Sequence, residues 1–408
     1  MTQRSYLFIH QNMPGQFLHL CLYLRDRGHK IAFITKNKKN QIGNITKVTY
    51  EPSRAAKPDQ HPYLSSTEDA MLHGQAVFRA IKNLEKTGFK PDVVVGHCGW
   101  GETLFVKDAL PDVPLLNYFE YYYRAFGQDF NFDPEFPGNI DGQLRIRVMN
   151  SVALLSGAAG DWGMTPTQWQ YSTHPVGMQA RMSVIHEGVD TRAIRPNPEA
   201  TFTTESGKVL RAGQKIVTFV ARNLEPYRGF PTFMRAIPEI QRRHPDAEIL
   251  IVGMDGVSYG IKLPEGDSYK KRMLAEVAFD PERVHFTGYL ESPQFRAAMH
   301  VSMAHIYLTY PFILSWSLVE SMASECLIIG SKTAPVEEVI TDRQTGLLVD
   351  FKDHKAVADR VCEVLARPEA YRDIRRAARQ VAVSQFDLRS VCLPRQLGLV
   401  DSMIDRRR

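Results

Sequence analysis

Two arginines, Arg222 and Arg228, share one short stretch, ARNLEPYRGF (221–230), directly after the apolar run KIVTFV (215–220). Guanidinium forks match phosphate oxygens, so a pair of them on one loop suits a diphosphate. The plain alternative is a pair of solvated or salt-bridged arginines with Glu225 as partner. A second candidate lies in YPFILSWSLVESMASE (310–325), where the carboxylate of Glu320 follows a Ser-Trp-Ser turn. Ser317 and Glu320 have the S-x-x-E spacing of a capping box, which predicts a helix from about Ser317. The same carboxylate can accept two hydrogen bonds from a vicinal diol such as a ribose, and the positive end of that helix favours an anion.

Three further loops carry chemistry-bearing residues. In HQNMPGQF (10–17), Gly15 lets a ligand approach the backbone at a helix start. VVVGHCGWGETL (93–104) brings a strand to its end at His97, and NYFEYYYRAF (117–126) does the same near Glu120. A lone histidine in such a place is more often a hydrogen-bonded core residue. Two titratable groups on neighbouring strand ends point instead to a site. No D-x-D pair falls on a strand-end loop, so the diphosphate charge is assigned to arginine and no metal is expected.

The elements that must position these residues are legible as apolar runs. SYLFIH (5–10), KIAFIT (30–35), DVVVGH (92–97) and PLLNYF (114–119) read as buried strands of a first half. KIVTFV (215–220), EILIVG (248–253), RVHFTG (283–288), HIYLTY (305–310) and CLIIG (326–330) read as strands of a second. Amphipathic stretches such as GQFLHLCLYLRDRG (15–28) and FPTFMRAIPEIQRRHP (230–245) alternate with them. The expected fold class is therefore α/β, with two Rossmann-like doubly wound parallel-sheet domains facing across a cleft. Ligands of such sheets bind beyond the carboxyl ends of the strands, where the candidate residues fall. The expected domains are 1–190 and 191–385, followed by a helix in 386–408. IRPNPEATFTTESGKVLRAGQK (194–215) reads as a polar linker.

Totals narrow the class. A chain of 408 residues is too long for one ordinary core. A net charge of +5 permits an acidic ligand without requiring nucleic acid. The five cysteines form no C-x-x-C pair and read as reduced core thiols. The N-terminus is too polar for a signal peptide, and no apolar run is long enough to span a bilayer. A cytoplasmic location is expected. The basic run TKNKKNQ (35–41) is read as a solvated loop, with weak contact to an anionic inner membrane face as the alternative.

Taken together, the loops resemble the retaining, nucleotide-sugar-dependent glycosyltransferases of the GT-B fold, family four (glycosyltransferase group 1). VTFVARNLEPYRGF is similar to that family's strand, arginine and phosphate loop, with Arg228 in a lysine's place. VHFTGYLESPQFRAAM is similar to its nucleotide-base segment, and LSWSLVESMASECLIIGSKTAPVEEVITDRQTGLLV to its sugar-and-ribose motif. In the first half, MPGQF is similar to the glycine loop, and VIHEGVD (184–190) to the segment entering the second domain.

The resemblance implies roles. Arg222 and Arg228 would hold the donor diphosphate with backbone N–H groups near Gly15, Ser317 and Leu318. Glu320 would bind the ribose, and Gly288, Tyr289 and Leu290 would border the base. Ser315, Trp316 and Ser317 would contact the donor sugar, with Glu120 and His97 acting with the arginines in catalysis. Two positions depart from the family. The first motif glutamate, eight residues before Glu320, is Phe312, and the donor-site histidine after PLLNYF is replaced by Glu120.

The implied activity is metal-independent, retaining transfer of a hexose from a nucleoside-diphosphate sugar to an acceptor hydroxyl, in bacterial cell-surface glycan or glycoconjugate synthesis. A UDP-sugar is favoured over a GDP-sugar, with no bound cofactor, and the partner is a glycan or lipid-linked acceptor. The aromatic stretch 117–137 is the expected acceptor surface. A sugar-nucleotide epimerase, a phosphorylase and a non-catalytic nucleotide-sugar binder are the alternatives.

Overall fold

The computed structural model describes residues 2–406. The chain divides into two compact units: Met1–Ala125, Gly138–Gly188 and Leu388–Arg408 form the first, and Phe126–Pro137 with Val189–Asp387 the second.

The first unit is built on seven strands: β1 (Ser5–Ile9), β2 (Lys30–Thr35), β3 (Thr46–Thr49), β4 (Val93–His97), β5 (Leu115–Tyr118), β6 (Trp162–Thr165) and β7 (Met182–Val184). Their order is β3-β2-β1-β4-β5-β6-β7, and the pairs β1–β2 and β1–β4 are parallel. Successive side chains of a strand point to opposite faces, and both faces here are covered. Tyr6 and Phe8 pack with Leu20, Leu24 and, from the C-terminal helix Leu393–Arg406, Val400 and Met403. Leu7 and Ile9 pack on the other face against Val77, Ile81 and Leu84 of the helix Ser65–Lys86. Two-sided burial is why these strands read as continuous apolar runs.

The second unit begins with a hairpin, β8 (Thr201–Thr203) and β9 (Val209–Arg211), inside the stretch read as a polar linker. Its inward residues Phe202 and Leu210 are buried. Single apolar residues between polar ones gave no run to recognise. The main sheet holds β10 (Ile216–Asn223), β11 (Glu248–Met254), β12 (Val284–Phe286), β13 (Ala304–Tyr307), β14 (Ile328–Ser331) and β15 (Leu347–Val349), in the order β12-β11-β10-β13-β14-β15. In its core the Phe219 ring stacks on Phe233 at 5.3 Å. All five cysteines are buried, and none forms a disulfide among the described residues. Among the described residues no helix is long and apolar enough to cross a membrane.

Phe126–Pro137 belongs to the second unit, although the sequence places it, as part of the aromatic stretch 117–137, in the first domain. Phe132 meets Tyr310 and Phe351 at ring distances of 5.1 and 5.4 Å. The Tyr227 hydroxyl donates to Asp129 at 2.8 Å and the Tyr310 hydroxyl to Asp133 at 3.1 Å. Arg235 grips Glu135 through two bonds of 2.7 Å. The segment is thus a strap fastened by rings, carboxylates and one bidentate pair. Replacing Phe132 with alanine removes its central ring. The expected result is several-fold faster protease cleavage within 126–137, with the far-UV circular dichroism unchanged.

Candidate functional site

Each sheet reverses its winding once, and each reversal collects the residues singled out above. In the second unit it lies between β10 and β13, the place where open α/β sheets bind ligands. Arg222 lies on the last turn of β10, exposed, with no hydrogen bond or ion pair among the described residues. Arg228 lies in the short 3-10 turn Pro226–Arg228 and is only 9% exposed. Its Nη1 donates to Thr309 Oγ1 at 2.8 Å and to the Ile313 carbonyl at 3.1 Å, and its guanidinium carbon lies 5.6 Å from the Tyr259 ring centre. The turn is closed by Gly229 at φ 70°, where a Cβ would meet Leu308 at 2.4 Å.

Arg228 is buried, yet among the described residues no carboxylate pairs with it. Glu225, the partner weighed from the sequence, is engaged elsewhere. It is 1% exposed, and its carboxylate accepts the N–H groups of Ser258, Tyr259 and Gly260 at 3.1, 3.1 and 2.8 Å. Burying a cation without a counter-charge costs several kcal/mol, so this geometry favours an anion beside Arg228.

The helix expected from Ser317 runs over Trp316–Ala323, and its cap is Ser315. Ser315 Oγ accepts the Ser317 N–H at 3.4 Å, and the Ser315 carbonyl accepts that of Leu318 at 3.1 Å. The two amides expected to meet phosphate are therefore already partnered. Glu320 lies one turn too far along to cap anything, so the capping-box reading is corrected. Its side chain is half-buried, and burial raises its pKa, with Arg296 opposing.

Of the residues expected around the donor sugar, Ser317 is buried, Ser315 half-buried and the Trp316 ring 46% exposed. Phe312 is buried, edge-on to Tyr227 and Tyr259 at 5.6 and 4.9 Å. An aromatic cluster thus fills the position of the motif's first acid. Gly288 follows β12 at φ 63°, and its carbonyl accepts the Gly253 N–H at 3.0 Å. Tyr289 is 67% exposed and Leu290 packs against the core.

In the first unit the reversal lies between β1 and β4. His10 follows β1 and His97 ends β4, with ring centres 4.8 Å apart. Gly15, at φ 55°, leaves its Cβ space to His10: an added Cβ would meet that ring at 2.4 Å. The close approach inferred for a ligand is made by this imidazole instead. His10 Nδ1 accepts the Asn12 N–H at 2.8 Å and Nε2 meets Gln16 Oε1 at 2.7 Å. Burial, with His97 adding to it, lowers the His10 pKa to about 3, so its ring is neutral at pH 7.

His97 is 1% exposed and stacked between Trp100 and Tyr118, at 4.5 and 5.3 Å. Its Nδ1 accepts the Gly99 N–H at 3.1 Å, which leaves the ring proton of the neutral imidazole on Nε2. Nε2 faces Glu120 Oε2 at 3.7 Å. At that distance they form no hydrogen bond, and Nε2 is without a hydrogen-bond partner among the described residues.

The sequence reading missed a recurrence. His186 Nδ1 also accepts the N–H two residues on, from Gly188 at 3.0 Å. The signal was present as H-x-N or H-x-G after a strand in IHQN, GHCG and IHEG. It also missed Thr309, which anchors Arg228, and expected exposed rings in 117–137. Tyr118, Phe119 and Tyr121 are buried there, while Phe126 is 75% exposed.

Comparisons with known proteins agree with both halves. Residues 27–194 match the family described as Glycosyl transferase family 4 group, and residues 202–381 match Glycosyl transferases group 1. A GDP-mannose-dependent alpha-(1-6)-phosphatidylinositol monomannoside mannosyltransferase of Mycobacterium tuberculosis is 28% identical over 200 residues, 46% of this chain and 48% of that one. A D-inositol 3-phosphate glycosyltransferase of Corynebacterium glutamicum is 28% identical over 188 residues, 45% of this chain and 43% of that one. The chain spans about half the length of these curated relatives. Among solved structures, sucrose-phosphate synthase from Thermosynechococcus elongatus aligns over 100% of both chains, with a TM-score of 0.72 and 14% identity. Anabaena HepE in complex with UDP-glucose aligns over 98% of this chain and 100% of that one, with a TM-score of 0.66 and 14% identity. The fold is that of the GT-B glycosyltransferases, and the chain belongs to glycosyltransferase group 1, family four.

Proposed function

We propose that the protein transfers a hexose from a nucleoside-diphosphate sugar to an acceptor hydroxyl with retention of configuration, in the synthesis of a bacterial surface glycan or glycoconjugate. The observation that carries this reading is Arg228, a buried cation with no carboxylate partner among the described residues, beside the start of the helix that bears Glu320. The donor diphosphate supplies the missing charge. At about 4 Å and an effective dielectric near 20, each arginine–phosphate contact is worth roughly 4 kcal/mol of gross attraction. Only the part that grows as the leaving group departs accelerates the reaction. Arg228 is held rigidly for that task, whereas exposed Arg222 is free to follow the phosphate. In this reading the guanidinium groups carry the charge that a metal supplies in other transferases.

Glu320 binds the ribose hydroxyls. Its half-buried carboxyl is costly to ionise in the empty protein, and two hydroxyl donors repay part of that cost. In the first unit, Glu120 assists the acceptor hydroxyl or stabilises the oxocarbenium-like sugar, with His97 Nε2 beside it at 3.7 Å. One similar protein is a GDP-mannose-dependent mannosyltransferase, and another is known in complex with UDP-glucose. Both nucleotides therefore belong in the test, with a UDP-sugar favoured. A lipid-linked glycan is the proposed acceptor, reached by weak contact at the inner membrane face.

Thermal shifts with UDP, GDP and ADP test the donor site. A matching nucleotide at about 100 times its Kd stabilises by roughly 2.7 kcal/mol. Arg228→Met is expected to lose that shift by about 1.5–3 kcal/mol, the worth of a charge-assisted hydrogen bond. The empty variant is expected to be at least as stable as the parent, because a buried unpaired cation is gone. A full shift with the variant removes Arg228 from the site.

Glu320→Gln tests the ribose role and has a pH signature. The folded-state pKa is raised, so its contribution is fully present below the unfolded value of about 4.3 and is lost as pH rises through the folded value. The glutamine variant is therefore expected to melt higher at pH 7, to lose that slope, and to bind nucleoside diphosphate more weakly. Equal nucleotide affinity in parent and variant rules the ribose role out. Glu120→Gln is expected to cut turnover at least tenfold without altering nucleotide binding, read by steady-state release of nucleoside diphosphate.

A further inference from the structure

Behind His97 and Glu120 the first unit buries a row of titratable groups that donor and acceptor binding leave unused. Glu102, in the loop after β4, is 0% exposed. Its Oε1 lies 2.9 Å from the Tyr50 hydroxyl, and its Oε2 makes no hydrogen bond. Tyr50, just after β3, lies 3.0 Å from His73 Nδ1. His73 is 2% exposed, and its Nε2 is 3.6 Å from the carboxylate of Asp69, whose side chain is 53% exposed. Glycine makes this alignment sterically feasible. A Cβ on Gly101 would meet the Ala70 carbonyl at 2.2 Å, and one on Gly74 would meet the Gly101 carbonyl at 2.8 Å. The helix carrying Asp69 and His73 is thereby pressed onto the loop carrying Glu102.

The row has two hydrogen arrangements. With Glu102 ionised, Tyr50 donates to Glu102 and His73 Nδ1–H donates to Tyr50, which leaves a bare Nε2 against the Asp69 carboxylate. With Glu102 protonated, it donates to Tyr50, Tyr50 donates to His73 Nδ1, and His73 Nε2–H faces Asp69. Only the second gives both ends a matching partner.

We propose that Asp69, His73 and Tyr50 form a proton wire that loads and unloads the buried acid Glu102, a positioning residue that sets the charge behind the His97–Glu120 pair. In discharge, the Glu102 proton moves to Tyr50 oxygen, the Tyr50 proton to His73 Nδ1, and the His73 Nε2 proton to Asp69 and on to water. One proton leaves and one negative charge appears at Glu102; loading is the reverse. His97 and Cys98 face Glu102 besides Tyr50, while Asp69 and Lys36 act on His73. Burial pushes Glu102 up, with its own backbone N–H, the Tyr50 hydroxyl and His97 opposing, and pushes His73 down, with Asp69 opposing. The direction at Glu102 favours the arrangement with a neutral acid, and that at His73 keeps the imidazole neutral in both.

The wire itself is independent of the transferase reading, and only its effect on turnover rests on that reading. Infrared spectra of the full chain at pH 7 are expected to show a protonated carboxyl band that Glu102→Gln removes. In Tyr50→Phe the band persists, but its shift on transfer to deuterium oxide slows at least tenfold. Asp69→Asn, at the exposed end, slows it less and keeps the test open should Glu102→Gln fold poorly. The pH–rate profile of transfer is expected to move in Tyr50→Phe as well, an effect that a merely structural tyrosine would not produce. A wild type without the band, or an unchanged exchange rate in Tyr50→Phe, overturns the wire. If no nucleotide sugar is turned over, the transferase reading fails while the infrared result still decides this one.

Discussion

The second unit depends on how it keeps one cation dry. Arg228 is nine-tenths buried, and a charge taken out of water must be met by hydrogen bonds or by an opposite charge. The protein supplies hydrogen-bond acceptors, Thr309 Oγ1 and the Ile313 carbonyl, and withholds the opposite charge. Withholding it requires active disposal of the nearest acid. Glu225 sits three residues before Arg228, and the amides of residues 258–260 bind its carboxylate completely enough to hold it away. One glutamate thus shapes the neighbouring loop and keeps the arginine unpaired. A site tuned for an anionic ligand needs both.

How much of this was legible in the sequence follows from which interactions are local. Parallel strands buried on both faces write themselves as apolar runs, so β1, β2, β4 and β5, and β10 to β14, could be placed. Edge strands such as β3, with exposed Thr46 and Thr49 and half-buried Lys47 and Val48, carry no such run and were missed. The hairpin in 201–211 buries only alternate residues and was taken for linker. Arg222, Arg228 and Glu320 were found because charged residues next to strand or helix ends stand out. Their partners were not. Thr309 reaches Arg228 across 81 residues, and Tyr50 reaches Glu102 across 52. No spacing rule links positions that only the sheet order brings together.

The helix cap shows the same limit at short range. Ser317 and Glu320 satisfy the spacing of a capping box, yet Ser315 two residues earlier accepts the Ser317 N–H and sits outside the helix, as a cap must. Sequence spacing offered two serines and could not choose. The choice matters because it leaves the half-buried carboxylate of Glu320 without a capping role.

In the first unit a backbone hydrogen bond fixes where the neutral His97 ring carries its proton. With the Gly99 N–H on Nδ1, the neutral His97 ring must carry its proton on Nε2, so it cannot take one from an acceptor hydroxyl without breaking that bond. Glu120 is then the only member of the pair free to accept. The same turn recurs at His10 and His186, so three strand ends of one sheet present imidazoles in a single tautomer, with Nε2–H as the outward donor. A sheet edge built this way is a set of fixed hydrogen-bond donors, suited to orienting carboxylates and hydroxyls. It is poorly suited to proton abstraction by histidine.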